Sequence, residues 1–126
     1  MVARKLVDDG LHPCPIRNVL DRLGDRWSLL VLRTLAPGAM RFTVVKRTIG
    51  DISQRMLAQT LRRLEQDGLV TRTVHPTIPP RVDYALTPLG QSLMEPLDAL
   101  VRWADEHHGA VRAARQAYVP PTAEAA

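Results

Sequence analysis

Residues 51–72 read "DISQRMLAQTLRRLEQDGLVTR" and decide how the surrounding chain folds. Ser53 is a favourable N-cap and Gly68 a favourable terminator, so a helix is predicted between them. At about 100° per residue, Leu57 and Leu61 fall on one side of this helix. Arginine and glutamine side chains crowd the opposite side, with almost no acidic residue among them. That face is either an ordinary solvated surface or one built to contact a polyanion.

Three helices are predicted ahead of this one. The first begins at Cys14-Pro15, because proline is well tolerated at the first helical position. The second covers residues 26–38, which are apolar on nearly every side and predict a central place in the core. The third runs from about Thr43 to Ile49 and leaves only four residues before the next helix. Two helices joined by so short a connection are typical of a helix-turn-helix.

An antiparallel hairpin is predicted directly after the arginine-rich helix. Apolar and polar residues alternate in two short stretches, 70–74 and 81–86, and the proline-rich link "HPTIPP" joins them. Thr87-Pro88 then begins a final long helix, which Pro96 is predicted to interrupt and kink. The element order is helix, helix, short strand, helix, helix, hairpin, long helix. This order predicts a mainly α fold with a small β-hairpin, namely a winged helix-turn-helix domain.

Positive charge is concentrated in the central part of the chain. The 126 residues carry a net charge of +4, but residues 41–81 hold eight basic and three acidic residues, a net charge of +5. The remainder of the chain therefore carries a net charge of −1. A basic segment within a nearly neutral frame indicates a polyanionic partner, with ordinary solvated charge as the alternative. Double-stranded DNA is the partner that fits the predicted helix-turn-helix.

The composition argues against several other classes of protein. Apolar residues make up 45% of the chain, which is typical of a globular domain, and no apolar run approaches the roughly 18 residues of a membrane span. A single cysteine cannot form an intramolecular disulfide, and the N-terminus lacks the apolar core of a signal peptide. No catalytic or phosphate-binding motif is present, and His107-His108 has no further ligand at metal spacing. We therefore expect a cytoplasmic protein that is not an enzyme and has no membrane partner, metal or cofactor.

Three segments resemble the HxlR-type family of bacterial winged helix-turn-helix transcriptional regulators. They are "CPIRNVLDRLGDRWSLLVLRTLAPGAMRF", "DISQRMLAQTLRRLEQDGLVTR" and "IPPRVDYALTPLGQSL", and they lie within residues 14–103. The resemblance implies a sequence-specific regulator, more often a repressor, that binds an inverted-repeat operator as a homodimer. It also implies terminal dimerisation helices, and we assign to that interface Leu93, Leu97, Leu100 and Trp103.

The residues expected to contact DNA come from the helix-turn-helix and the hairpin. Arginine and glutamine suit this role because each can form paired hydrogen bonds with purine edges in the major groove. The predicted DNA-contacting residues are Arg41, Lys46, Ser53, Gln54, Arg55, Gln59, Arg62, Arg63, Arg72 and Arg81. Of these, we expect base contacts from Gln54, Arg55, Gln59 and Arg62, and a backbone contact from Arg63. One domain over residues 13–110 carries them all, with a flexible arm at residues 1–12 and a helix end with a flexible tail at residues 111–126.

Two alternatives stay open from the sequence. Cys14 stands at a helix N-terminus with Arg17 one turn on, and both features favour the reactive thiolate form. The protein could therefore be a redox- or ligand-sensing switch centred on Cys14 or on a dimer-interface pocket, with an oxidant or small molecule as effector. A small buried residue that opens a helix is the simpler interpretation of Cys14. The second alternative is a winged-helix protein-interaction module that does not bind DNA, and the acid-poor helix face argues against it.

Overall fold

The computed structural model describes residues 14–122 of the chain. The flexible arm predicted at residues 1–12 lies outside this range, as do the last four residues of the predicted tail. The helices are α1 (Pro15–Leu23), α2 (Ser28–Leu35), α3 (Phe42–Ile49), α4 (Gln54–Gln66), α5 (Pro88–Ser92) and α6 (Met94–Ala117). The strands are β1 (Met40–Arg41), which precedes α3, and β2 (Val70–His75) and β3 (Arg81–Leu86), which follow α4. The mainly α fold class predicted from the sequence is confirmed.

The core of the first part of the chain forms where α2 packs against α4. The side chains of Val31 and Leu32 on α2 are fully buried, as expected for a helix that is apolar on nearly every side. From α4, Leu57, Leu61 and Leu64 are buried to 1% exposure or less. Each large apolar side chain buried in this way contributes about 1.5–3 kcal/mol relative to its exposed state. The leucine-bearing side of α4 is therefore fixed toward the core.

Both ends of α4 are defined by local chemistry. The backbone N–H of Met56 donates a hydrogen bond to the Ser53 hydroxyl at 3.0 Å, so the predicted N-cap is confirmed. Beyond the other end, Gly68 adopts a φ of 77°, a left-handed conformation that favours glycine. Gly50 ends α3 with a φ of 96°, and four residues separate α3 from α4. The predicted helix-turn-helix is therefore confirmed.

Three antiparallel strands form one small sheet in the order β1-β3-β2. Strands β2 and β3 pair along their whole length, from Val70 opposite Leu86 to His75 opposite Arg81. The two-residue strand β1 pairs with the other edge of β3. Residues 76–80 connect β2 and β3 at the tip of the hairpin. This hairpin directly follows α4 and is the wing that the sequence predicts.

The long C-terminal helix is interrupted close to Pro96, as predicted, but the interruption lies before this residue. The backbone N–H of Gly90 donates to the Thr87 hydroxyl at 3.0 Å, and this cap begins the short helix α5, which ends at Ser92. A new helix, α6, begins at Met94. Pro96 therefore stands in the first turn of α6, where its missing N–H removes no helical hydrogen bond. In one uninterrupted helix, the residue at position 96 would donate its backbone N–H to the carbonyl of Ser92, and proline has no N–H to donate.

The described chain consists of two compact units, one that ends at Met94 and one that begins at Glu95. The first contains the helix-turn-helix, the sheet and α5. The second contains the remainder of α6 and the residues that follow it. Among the helices within residues 14–122, none combines the length and apolar character that crossing a membrane requires.

Gly90 provides a test of how α5 packs. A Cβ atom at this position would lie 2.2 Å from the carbonyl oxygen of Leu69 and 3.4 Å from the Cβ of Leu86. Because the first contact is with backbone, we expect Gly90→Ala to lower the free energy of unfolding by about 1–3 kcal/mol. Gly109→Ala on α6 is the control: nothing lies within 4 Å of its Cβ, so it should stabilise the protein by about 0.5–1 kcal/mol. Urea unfolding measures both, and equal midpoints for the two variants would contradict the close approach at Gly90.

Candidate nucleic-acid interface

The side of α4 opposite its buried leucines is exposed and polar. Arg55, Gln59, Arg62 and Gln66 are all exposed, and their spacing of four, three and four residues places them along one stripe of the helix. The first turn of α4 contains no acidic residue. The division of this helix into a buried face and a basic polar face is thus as predicted. Contact of these side chains with DNA stays a prediction.

The N-terminal end of α4 also presents exposed polar groups to solvent. Ser53 and Gln54 are exposed, and the Ser53 oxygen already accepts the capping hydrogen bond from Met56. The Ser53 hydroxyl proton is therefore still able to be donated outward. A helix N-terminus also carries a partial positive charge, which favours a phosphate group nearby. These features fit the predicted role of both residues at a DNA surface.

Arg63, predicted to contact the DNA backbone, is partly engaged inside the protein. Its Nη2 lies 4.0 Å from Oδ2 of Asp25, and its side chain is 34% exposed. The Asp25 carboxylate accepts hydrogen bonds from the backbone N–H groups of Trp27 and Ser28 at 2.7 and 2.8 Å and from the Ser28 hydroxyl, and so caps α2. Burial raises the pKa of Asp25, but these hydrogen bonds and the charge of Arg63 together outweigh burial and lower it. Arg63 therefore braces α4 against the start of α2.

A second internal ion pair connects α1 to the end of α4. The Arg22 Nε lies 2.9 Å from Oδ2 of Asp67, and its Nη2 lies 2.9 Å from Oδ1 of the same carboxylate. Asp67 is the residue that follows α4, so this two-pronged contact holds the helix end to α1. The partners are 45 positions apart in the chain, and no local sequence pattern indicates them. This pair was not predicted.

The hairpin contains a third pair, which involves Arg81. The Arg81 Nε and Nη2 donate to Oδ1 and Oδ2 of Asp83 at 3.1 and 3.0 Å, and Nε2 of His75 lies 3.1 Å from Oδ2. The hydrogen bonds and charge of Arg81, with a smaller contribution from His75, lower the pKa of Asp83 although burial opposes this. The carboxylate thus stays ionised at neutral pH. The charge of Arg81, a predicted DNA contact, is compensated within the hairpin.

These pairs leave a distinct group of arginines without an internal counter-charge. Within residues 14–122, no ion pair is formed by Arg55, Arg62 or Arg72. The same holds in that range for Arg41 and Lys46, which flank and lie on α3. All five are among the predicted DNA contacts. Positive charge without an ion pair is therefore present on the helix-turn-helix and on strand β2, and within residues 14–122 it is also present at Arg102, Arg112 and Arg115 of α6.

In the first unit, α1 carries an exposed apolar face. Ile16, Val19 and Leu20 are 44%, 47% and 58% exposed, whereas Leu23 at the end of the helix is buried. Such a group of large exposed apolar side chains is typical of an interaction surface. Cys14, immediately before α1, is only 3% exposed, and its carbonyl accepts the backbone hydrogen bond of Asn18.

The four predicted interface residues, in and just before α6, differ in exposure. Leu97 is buried and Leu93, just before the helix, is half-buried, whereas Leu100 and Trp103 are 55% and 52% exposed. The Trp103 ring stacks on His107 with 4.8 Å between ring centroids. Leu100 and Trp103 are therefore the members of this set that a partner could cover. Within residues 14–122 no group of three or more metal-binding side chains is found.

A helix-turn-helix with an exposed basic second helix and a following hairpin defines the class of winged helix-turn-helix transcriptional regulators. A family model described as HxlR-like helix-turn-helix matches residues 22–112. The chain belongs to this family, as its resemblance indicates.

Known relatives agree with this class. The chain is similar to YtfH of Escherichia coli (strain K12), described as an HTH-type transcriptional regulator, with 46% identity over 92 residues that cover 73% of each chain. It is similar to the solved structure of the redox regulator HypR in its reduced form, with a TM-score of 0.75, 32% identity and coverage of 79% of this chain and 98% of HypR. It is also similar to the reduced form of the transcriptional regulator YodB from B. subtilis, with a TM-score of 0.67, 38% identity and coverage of 75% and 94%.

The compensation of Arg81 by Asp83 can be tested through DNA binding. We expect Asp83→Asn to raise affinity for DNA and to steepen its dependence on salt concentration by about one in log–log slope, because Arg81 becomes free to neutralise a phosphate. Asp105→Asn on α6 removes the same charge outside the helix-turn-helix and hairpin and serves as the control. Fluorescence anisotropy at several salt concentrations measures both variants. Identical slopes for them would show that Asp83 does not restrain Arg81.

Proposed function

We propose that the protein is a homodimeric repressor that acts in the cytoplasm and binds an inverted-repeat operator with one α4 in each half-site. The observation that carries this proposal is the exposed, basic face of α4, whose Arg55 and Arg62 have no ion-pair partner within residues 14–122. A face that served only solubility would gain from carboxylates that pair with its arginines. An acid-poor face instead attracts the phosphates that line the major groove.

Affinity and specificity are assigned to different residues. Arg41, Lys46 and Arg72 neutralise phosphates, and each neutralised phosphate releases counterions, so binding weakens as salt increases. Gln54, Arg55 and Gln59 lie in the N-terminal half of α4, the part of a recognition helix that contacts base edges. Arginine and glutamine form paired hydrogen bonds to guanine and adenine.

Dimerisation is supported separately by each terminal helix. The exposed apolar face of α1 and the exposed side chains of Leu100 and Trp103 on α6 are surfaces that a second copy would remove from water. A two-fold dimer would present two copies of α4 to two half-sites, which matches an inverted repeat.

Redox control through Cys14 is a second proposal, and the similarity to HypR, a named redox regulator, favours it. The 3% exposure of Cys14 opposes direct attack by an oxidant on the conformation described here. Oxidation would then require α1 to separate locally from the core. An oxidant-induced change in DNA affinity that is absent from Cys14→Ser would support this control, and equal responses would exclude it.

The base-contacting role of Arg55 gives a test of the proposed function. We expect Arg55→Ala to weaken operator binding by about 1–3 kcal/mol and to relax the preference at one base position in each half-site. Arg63→Ala should weaken binding to all sequences evenly, and it should also lower the free energy of unfolding because Asp25 loses its counter-charge. Operators selected from a random DNA pool, with their single-base mutants, provide the substrates. If Arg55→Ala preserves the wild-type ranking of these sites, Arg55 does not contact bases.

The dimer is tested most cleanly at Leu100, which is half-exposed. We expect Leu100→Glu to lower the oligomeric state and operator affinity together, because a carboxylate would enter an apolar interface. Ala99→Glu introduces the same single negative charge at an exposed position of α6 and serves as the control. Leu97 is unsuitable because it is already buried, so its substitution would also perturb folding. Light scattering measures mass, and an unchanged dimer for Leu100→Glu would place the interface elsewhere.

A further inference from the structure

A polar cleft of about 410 Å³ separates α4 from the hairpin. We name it the helix–hairpin cleft and define it by five lining residues: Ala58, Arg62 and Glu65 of α4, Arg72 of β2 and Tyr84 of β3. The three residues from α4 recur at intervals of four and three, so they form one stripe of that helix. Arg72 and Tyr84 are opposite each other in the strand register, so they share one face of the sheet. The helix α4 therefore supplies one wall, and the paired strands β2 and β3 supply the other.

The arginines of this cleft differ from the arginines of the domain that form ion pairs. Three other arginines, Arg22, Arg63 and Arg81, each have a carboxylate partner. Within residues 14–122, by contrast, neither Arg62 nor Arg72 forms an ion pair, although both line one cleft. Two guanidinium groups brought together repel each other, so an anion between them would be stabilised.

The cleft also has a defined net charge. The carboxylate of Glu65 offsets one of the two guanidinium groups, which leaves a net charge of +1. A phosphodiester carries a single negative charge, so its entry would neutralise the cleft. A free phosphate dianion would instead leave it with a net charge of −1. The charge balance therefore favours a phosphate within a nucleic-acid backbone.

We propose that the helix–hairpin cleft binds one backbone phosphate of the operator in each half-site, through Arg62, Arg72 and the hydroxyl of Tyr84. This inference rests on the proposed function and deepens it. Arginine donates two parallel hydrogen bonds to a phosphate, and a tyrosine hydroxyl adds a third donor. Arg62, predicted from the sequence to contact a base, is reassigned to the backbone, and Tyr84 joins the interface.

The position of the cleft gives this phosphate a particular role. Ala58 has the smallest of the lining side chains and so takes up little of the space in the cleft. A phosphate held there would be gripped from the helix and from the hairpin at the same time. Such a contact carries no base information but fixes the register of α4 along the duplex. Arg72 and Tyr84 are therefore positioning residues for base recognition.

The experiment uses the full chain and an operator selected from a random pool, with methylphosphonates that remove the charge of one phosphate at a time. At one phosphate position in each half-site, we expect the methylphosphonate to lower the affinity of the wild-type protein about tenfold, because Arg72 loses the charge that it binds. Arg72→Gln should bind unmodified DNA about tenfold more weakly, with a salt slope reduced by about one and an unchanged ranking of base mutants. A methylphosphonate at the same phosphate position should not lower the affinity of Arg72→Gln any further.

Matched variants separate the contributions. Tyr84→Phe keeps the ring and removes the hydroxyl. The affinity that this variant loses through a methylphosphonate at the same phosphate should be smaller than in the wild type, but the reduction should be less than in Arg72→Gln. Glu65→Gln removes the carboxylate and should tighten binding of unmodified DNA. Arg115→Gln, on α6, removes one positive charge outside the cleft and should leave the methylphosphonate profile as in the wild type. Equal urea midpoints for wild type and Arg72→Gln would exclude unfolding as the cause.

Three outcomes would overturn the proposal. If wild type and Arg72→Gln show the same methylphosphonate profile at every position, the cleft binds no backbone phosphate, although the protein still binds DNA. If inorganic phosphate displaces DNA more strongly than sulfate at equal ionic strength, and only when Arg72 is present, the cleft binds a free anion instead. If the wild type selects no DNA at all, the proposed function and this inference fail together.

Discussion

The burial of one side of α4 is the constraint on which the rest of the structure depends. Leu57, Leu61 and Leu64 are removed almost completely from water against the core, so the rotation of α4 about its own axis is fixed. A helix fixed in this way has its opposite side fixed as well, and that side holds Arg55 and Gln59 outward. The buried leucines therefore set the direction in which the polar side chains project, without contacting any partner themselves.

Pairing of charges then divides the arginines into two groups. Asp25 and Asp67 each pair with an arginine of another element of the domain. Asp83 pairs with Arg81 of its own strand and contacts His75 of the neighbouring strand. A pair at a partly exposed site adds little to stability by itself, so its main effect here is on geometry and on local charge. Net charge alone does not reveal this division. Arg55 and Arg72 carry the same charge as the paired arginines, yet neither has an ion-pair partner among the described residues 14–122.

Local chemistry explains what the sequence could predict. The N-cap at Ser53, the terminator at Gly68 and the helical spacing of the leucines act within a few residues, and α4 follows them closely. The hairpin was also predictable, because strand alternation is local. The interruption near Pro96 was predicted but its position was not, because proline within a helical pattern marks either a kink or a first turn, and the Thr87 cap upstream does not distinguish them. Arg81 and Asp83 are two positions apart on one strand, but the pairs of Arg22 with Asp67 and of Arg63 with Asp25, and the helix–hairpin cleft, join residues that only tertiary folding brings together. No local sequence pattern indicates these distant contacts.

The pair between Arg22 and Asp67 has a mechanical consequence. Two parallel hydrogen bonds must stay in one plane, so the contact resists rotation and sliding more than a single point charge does. It joins α1, a helix with an uncovered apolar face, to the residue that follows α4. A force that displaces α1 must therefore either drag the far end of α4 with it or leave the carboxylate of Asp67 without its counter-charge. The pair thus couples the position of α1 to the end of α4.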